Sequence, residues 1–185
     1  MNIPAEIQAL AEQRQSARLA KDWALSDSLR AQLADAGWLV ADNAEGFVLT
    51  PKPPFEQFAT LAVVPECVDE LVPGSVSIDV IVDGWPDDAA TFLTALMTHI
   101  PAEYRVVILE LGNVDGVGQL VEDFAKSHSM VSITHVAQTL TQVGWGSAVT
   151  KMLHHNSAAS HVVIDLSTVL TGDAITPLVL SLIHI

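Results

Sequence analysis

Cysteine, basic residues and long apolar runs are what this chain has least of. A single cysteine, Cys67, among 185 residues excludes an internal disulfide. Its plainest role is that of a small buried hydrophobe, and the lack of a pair fits a reducing compartment. Only 8 Lys and Arg stand against 22 Asp and Glu, a formal charge of −14. Such a chain repels phosphate backbones and anionic membranes over roughly a Debye length of about 8 Å, so nucleic-acid binding is disfavoured without a local basic patch. The amino terminus MNIPAEIQAL has no basic stretch ahead of an apolar one, which argues against a signal peptide. No uninterrupted apolar run approaches the roughly 20 residues of a spanning helix, and a cytoplasmic location is the expectation. What the chain has in quantity is apolar residue, 50% of the total, enough for a packed core in one domain or one and a fraction.

Residues 1–50 read as a helical hairpin with a small β-ribbon. Ile7, Leu10, Ala11, Ala17 and Leu19 recur at helical spacing after Pro4, a residue suited to a first helical turn. Asp22 has the chemistry of an N-cap for a second helix carrying Trp23, Leu25, Leu29 and Leu33, and Gly37 is placed to end it. Two such short helices are stable only face to face. Trp38 and Val40, then Phe47 and Leu49, alternate around Asn43-Ala44-Glu45-Gly46, a hairpin pattern. Residues 51–75 hold Pro51, Pro53, Pro54, Pro65, Pro73 and Gly74 and read as a connector. Within it, Phe58 to Val64 is apolar enough to dock on the next domain as a short element.

From residue 76 the pattern becomes strand, helix, strand, helix. Val76 to Val82 ends in Asp83-Gly84-Trp85-Pro86; Arg105 to Leu111 ends in Gly112-Asn113-Val114-Asp115-Gly116. Strands follow at Val131 to Val136 and His161 to Ile164, with helices carrying Phe92 and Leu96, Val121 and Phe124, and Ser147 to His155. This is the rhythm of a mainly parallel, Rossmann-like α/β sheet. Ligands gather at the carboxyl ends of such strands, where Asp83, Glu110, Asp115 and Asp165 fall.

Two resemblances rest on these residues. Arg14, Ala17-Arg18, Lys21-Asp22-Trp23, Asp27, Arg30, Gly37 and Asp42 make residues 1–50 resemble the C-terminal helical region of cysteinyl-tRNA synthetase. The nucleotide-binding signatures and zinc-binding cysteines of that enzyme are absent, which implies a borrowed module and a possible protein-docking unit rather than a synthetase. Its four basic residues share the segment with seven acidic ones, the mark of a solvated, salt-bridged surface.

In residues 76–179, SIDVIVDGWPDD, ILELGNVDG, VGWGSAVTKML and HVVIDLSTVLTGDAITPLV stand in the order of the motifs of family 2 glycosyltransferases. The resemblance implies the N-terminal half of a GT-A fold that binds a nucleotide-sugar donor. It also implies a divalent cation, Mg²⁺ or Mn²⁺, to neutralise the leaving diphosphate. Carried over position by position, it implies Asp83, Glu110, Asp115, Gly144 and Gly146 as donor contacts, with Glu110 in the place of the base-recognising Asp. Asp165 is implied as the metal ligand. Ser167 replaces the second carboxylate of the Asp-x-Asp motif, Thr150 a usual Asn, and Gly84-Trp85 the usual polar pair. No residue stands for the acceptor-side base, so no catalytic residue is expected here. A catalytically degenerate scaffold is the alternative to an active transferase.

Simpler readings stand beside these. Asp165 suits a strand-end turn, Asp115-Gly116 is an ordinary turn pair, and Gly144 and Gly146 suit a tight turn with Trp145 over the core. His154 and His155, adjacent on a helix, point about 100° apart and do not face one metal together. Asp79 inside an apolar strand has no account from sequence. The final LSLIHI resembles the translation of a transposase adapter, so residues 180–185 are expected to be non-native.

Overall fold

The computed structural model describes residues 3–67 and 71–183, in two compact units, Met1–Pro54 and Phe55–Ile185.

The first unit begins with helices α1 (Ala5–Leu19) and α2 (Trp23–Asp35). Asp22 caps α2, its carboxylate accepting from the Leu25 N–H at 3.1 Å, and the chain leaves α2 through Gly37 at φ 81°. Strands β1 (Trp38–Asn43) and β2 (Gly46–Pro51) then pair antiparallel, with Asn43 opposite Gly46. Ile7, Ala11, Leu33, Val40 and Leu49 close the core between hairpin and ribbon. Arg14 is buried, its guanidinium donating to both carboxylate oxygens of Asp42 at 2.7 and 2.9 Å. That guanidinium holds the Asp42 carboxyl below the usual carboxylate range.

The second unit holds strands β3 (Val72–Val82), β4 (Arg105–Leu111), β5 (Val131–Val136) and β6 (Ala158–Ile164). They form one sheet in the order β5-β4-β3-β6, every pairing parallel. Between and after them come α3 (Pro86–His99), α4 (Val117–Ser127), the short α5 (Leu140–Val143), α6 (Trp145–His155) and α7 (Ile175–Ile183). Alternation along the strands sends Ile78, Val80 and Val82 to one face, against Phe92, Leu93 and Leu96 of α3, Val121 of α4 and Ile175 of α7. Ile81 and Leu109 face the other side with Ala148 and Met152 of α6. Each fully buried Leu, Ile or Phe here contributes about 1.5–3 kcal/mol. The expected α/β class is what the sheet shows.

β3 starts at Val72, earlier than the apolar run suggests, because its first residues contain Pro73 and Gly74 and the register shifts between Val72 and Val76. The stretch after Pro54 packs on this unit. Phe58 bridges Val136 in parallel, Leu61–Val63 is one 3₁₀ turn, and Leu61 and Val64 are buried. Of the carboxy-terminal hexapeptide, residues 180–183 continue α7; residues 184 and 185 lie outside the described residues.

The chain steps from β3 to β4 to β5 in one direction and then returns to place β6 on the far side of β3. The carboxyl ends of β3 and β6 therefore flank the switch point where such sheets open a crevice. No helix among the described residues is long and apolar enough to cross a membrane.

Candidate functional site at the carboxyl edge of the sheet

Asp83 is the first residue past β3 and is half-buried; Asp165 is the first past β6 and is exposed. Both stand at the switch point because their strands are neighbours, with Val80 opposite Ile164. Asp115 is exposed on the 3₁₀ turn Val114–Gly116 beyond β4. The turns after β3 and β4 abut: a Cβ on Gly84 would lie 3.1 Å from Val114 Cγ1 and 3.7 Å from a carboxylate oxygen of Asp115. A side chain at position 84 would crowd that junction, and Gly84 also sits at φ 123°, which glycine adopts most readily.

The turn after β4 is wound tightly. Gly112, Asn113, Asp115 and Gly116 all have positive φ, at 78°, 45°, 55° and 76°. Two of these are not glycine, and backbone in that region persists only where its surroundings fix it. Glu110 supplies part of that fixing. It is completely buried, one carboxylate oxygen accepts from the Asn113 N–H, and the other meets His135 Nδ1 at 2.8 Å. Asn113 in turn accepts from the Gly118 N–H at 3.0 Å.

Asp165 accepts from the Ser167 N–H at 2.9 Å. The Ser167 hydroxyl and N–H together hold its carboxyl below the usual range. Ser167 is exposed and neutral. Among the described residues no group of three or more His, Cys, Asp or Glu is arranged to hold a metal ion. One turn-forming carboxylate and one hydroxyl do not fit a divalent cation, whose oxygen sites need several ligands and negative charge.

Gly144 and Gly146 open α6, in the crossover that leads from β5 to β6. Gly144 has φ 79°, so its backbone favours glycine, whereas a Cβ on Gly146 would meet nothing within 4 Å. Gly146 lines a cleft with Leu61, Gln142, Thr150 and Lys151.

Two polar clusters escape a reading of apolar patterns. The first surrounds Asp79, which is fully buried and takes His161 Nδ1 at 2.7 Å and the Asn156 amide at 3.0 Å. Burial pushes its carboxyl up, and these hydrogen bonds with that of Ser77 oppose the push. The same nitrogen of His161 also meets the Ser77 hydroxyl at 3.0 Å. A nucleophile relay needs the two ring nitrogens on separate partners, so this Ser, His and Asp hold the sheet together instead. The second cluster joins Glu110 to His135, whose other ring nitrogen lies 3.3 Å from Glu122. In each case the legible signal is a polar residue at an inward strand position, Asp79 in SIDVIV and His135 in VSITHV.

Residues 2–46 match the family described as the cysteinyl-tRNA ligase anticodon binding domain. The cysteine–tRNA ligase of Opitutus terrae is 49% identical over 49 residues, covering 26% of this chain and 11% of its own length. That of Methanosarcina acetivorans is 43% identical over 44 residues, 24% of this chain and 9% of its own. That of Yersinia pseudotuberculosis is 50% identical over 42 residues, 23% and 9%. The chain therefore spans about a tenth of the length of the curated relatives it matches. Among solved structures, the mannosyltransferase PcManGT from Pyrobaculum calidifontis, in complex with GDP-Man and Mn²⁺, is similar with a TM-score of 0.47 at 15% identity. The similarity covers 90% of this chain and 39% of that one.

Proposed function

We propose that the α/β unit recognises a nucleotide-sugar at the carboxyl edge of its sheet, and that the whole protein to which it belongs is of the family 2 glycosyltransferase type. The observation that carries this reading is the meeting of Asp83-Gly84 with Val114-Asp115 beside the β3/β6 switch point, at positions where the family's donor-binding motifs stand. Exposed carboxylates there accept hydrogen bonds from ribose and sugar hydroxyls or from a base N–H. Because the residues present do not fit a metal, binding is weak and indifferent to it: the three aspartates repel a diphosphate. Titration of the full chain with UDP- and GDP-sugars, with and without Mn²⁺, tests this. The reading expects dissociation constants of roughly 0.1–1 mM that Mn²⁺ shifts by less than about threefold; no binding at millimolar donor sinks it.

A second reading, a non-catalytic scaffold with the helical hairpin as a docking unit, is favoured by one specific observation. Leu19, Trp23 and Leu25, around the α1–α2 turn, are 81%, 56% and 48% exposed, more apolar surface than a helix turn needs. Capture of a defined partner lost on Trp23→Ala, with no donor binding by the other unit, would favour it.

A further inference from the structure

The buried groups beneath the turn that follows β4 form a bracket with no place in a donor contact. Glu110, a donor-contact position by motif, has no exposed surface, and both its oxygens are taken by Asn113 and His135. His135 on β5 is buried, with Nδ1 on Glu110 and Nε2 facing Glu122 of α4. The Phe55 ring lies flat on the imidazole, centroids 3.9 Å apart and planes at 18°. Gly118 closes the bracket. A Cβ there would come 2.5 Å from Phe55 Cζ, 2.8 Å from Asn113 Oδ1 and 3.1 Å from Glu110 Oε2. β4, β5, α4 and the Phe55 segment thus meet around the Glu110–His135 pair, and the Glu110 carboxylate takes the Asn113 N–H.

From this convergence we infer that His135 is a positioning residue for the Gly112–Gly116 turn. It holds the Glu110 carboxylate toward the Asn113 N–H, and so keeps Asp115 beside Gly84 with its backbone in the left-handed region. A carboxylate pinned from both sides cannot swing away, and the turn above it loses the freedom to relax to ordinary φ values. Glu110 acts from beneath the ligand rather than on it. What the turn binds rests on the nucleotide-sugar reading; how it is held does not.

The two nitrogens of His135 separate in mutagenesis, because an Asn side-chain amide can take the place of Nδ1 and a Gln amide that of Nε2. His135→Asn keeps a donor to Glu110; His135→Gln keeps only the contact to Glu122; His135→Phe keeps the stack on Phe55 and neither. In the full chain, amide hydrogen exchange is followed at Asn113 and at Val106–Leu109 of β4, with nucleotide-sugar affinity measured on the same samples. The expectation is that His135→Gln and His135→Phe speed exchange at Asn113 by about tenfold or more while β4 stays protected, and that His135→Asn stays within about threefold of the parent. Affinity follows the same order. If His135→Phe does not fold, the Asn and Gln variants still carry the comparison. Equal exchange at Asn113 in those two variants overturns the inference. Absence of nucleotide-sugar binding in the parent, with the exchange order intact, overturns the functional reading and leaves the bracket standing.

Discussion

Removing Asp42 should cost the hairpin unit more than removing its partner Arg14. The Arg14 side chain is 3% exposed and that of Asp42 37%, so the pair is asymmetric: one charge is committed to the interior and the other keeps contact with water. Asp42→Ala leaves a buried guanidinium whose Nε already lacks a partner. Stranding a fully buried charge costs about 3–5 kcal/mol, which partial access through the vacated Asp42 position lowers to about 2–3 kcal/mol. Arg18, 3.4 Å from Asp42, offers no relief, being of the same sign as Arg14. Arg14→Met removes the charge and keeps the apolar stem. It loses two charge-assisted hydrogen bonds but regains solvation of Asp42, for a net of about 1 kcal/mol. The double variant should resemble Arg14→Met alone. Hydrogen exchange at α1 and β1 amides in urea reads this unit separately from the other. The guanidinium also supplies the sign of the pH dependence. Asp42 is held below its usual value, so its contribution is present above about pH 3.9 and is lost as pH falls through the lower folded value. Equal costs for the two single variants, or a double variant less stable than either, would refute the reasoning.

Gly118→Ala forces its methyl into Phe55 and Asn113, and urea unfolding of the α/β unit should show a loss of about 1–3 kcal/mol; an unchanged midpoint would contradict the packing. Burial pushes the Asp79 carboxyl up, so its contribution to stability is full below about pH 3.9 and is lost as pH rises through the raised folded value. Asp79→Asn, which cannot ionise, should flatten the unfolding midpoint of that unit over the same window, and a curve parallel to the parent's would count against this. Ser167→Asp adds the missing carboxylate beside Asp165, and Mn²⁺ affinity measured by electron paramagnetic resonance should tighten by about tenfold or more; no gain would mean that the two positions do not share a site.

Much of the architecture was legible because pattern and packing agree. Arg105–Leu111 and Val131–Val136 read as strands at their observed bounds, being short β-branched runs closed by turn residues, and Asp22 announced the start of α2. The beginning of β3 was hidden by Pro73 and Gly74, which ordinarily stop strands and here form an irregular entry. The segment after Pro54 read as connector for the same reason, but its apolar stretch Phe58 to Val64 announced a short element docked on the next domain, and Leu61 and Val64 are core. At the site, spacing located the strand ends but not which side chains face the crevice. Glu110 turns inward because its partner is His135, a residue 25 positions away on a neighbouring strand, and no local pattern encodes such a pairing. Asp79 was unexplained for the same reason, since His161 and Asn156 reach it from the far side of the sheet's switch point.

Everything proposed for the α/β unit turns on whether the carboxyl edge of its sheet recognises a nucleotide-sugar. Backbone amide shifts of the full chain, followed as a UDP- or GDP-sugar is added without metal, test it most directly. Saturable shifts are expected at Gly84, at Asn113 to Asp115 and at Asp165, with α1 and α2 of the hairpin unit silent. Shifts confined to the hairpin unit, or none at millimolar donor, sink that reading.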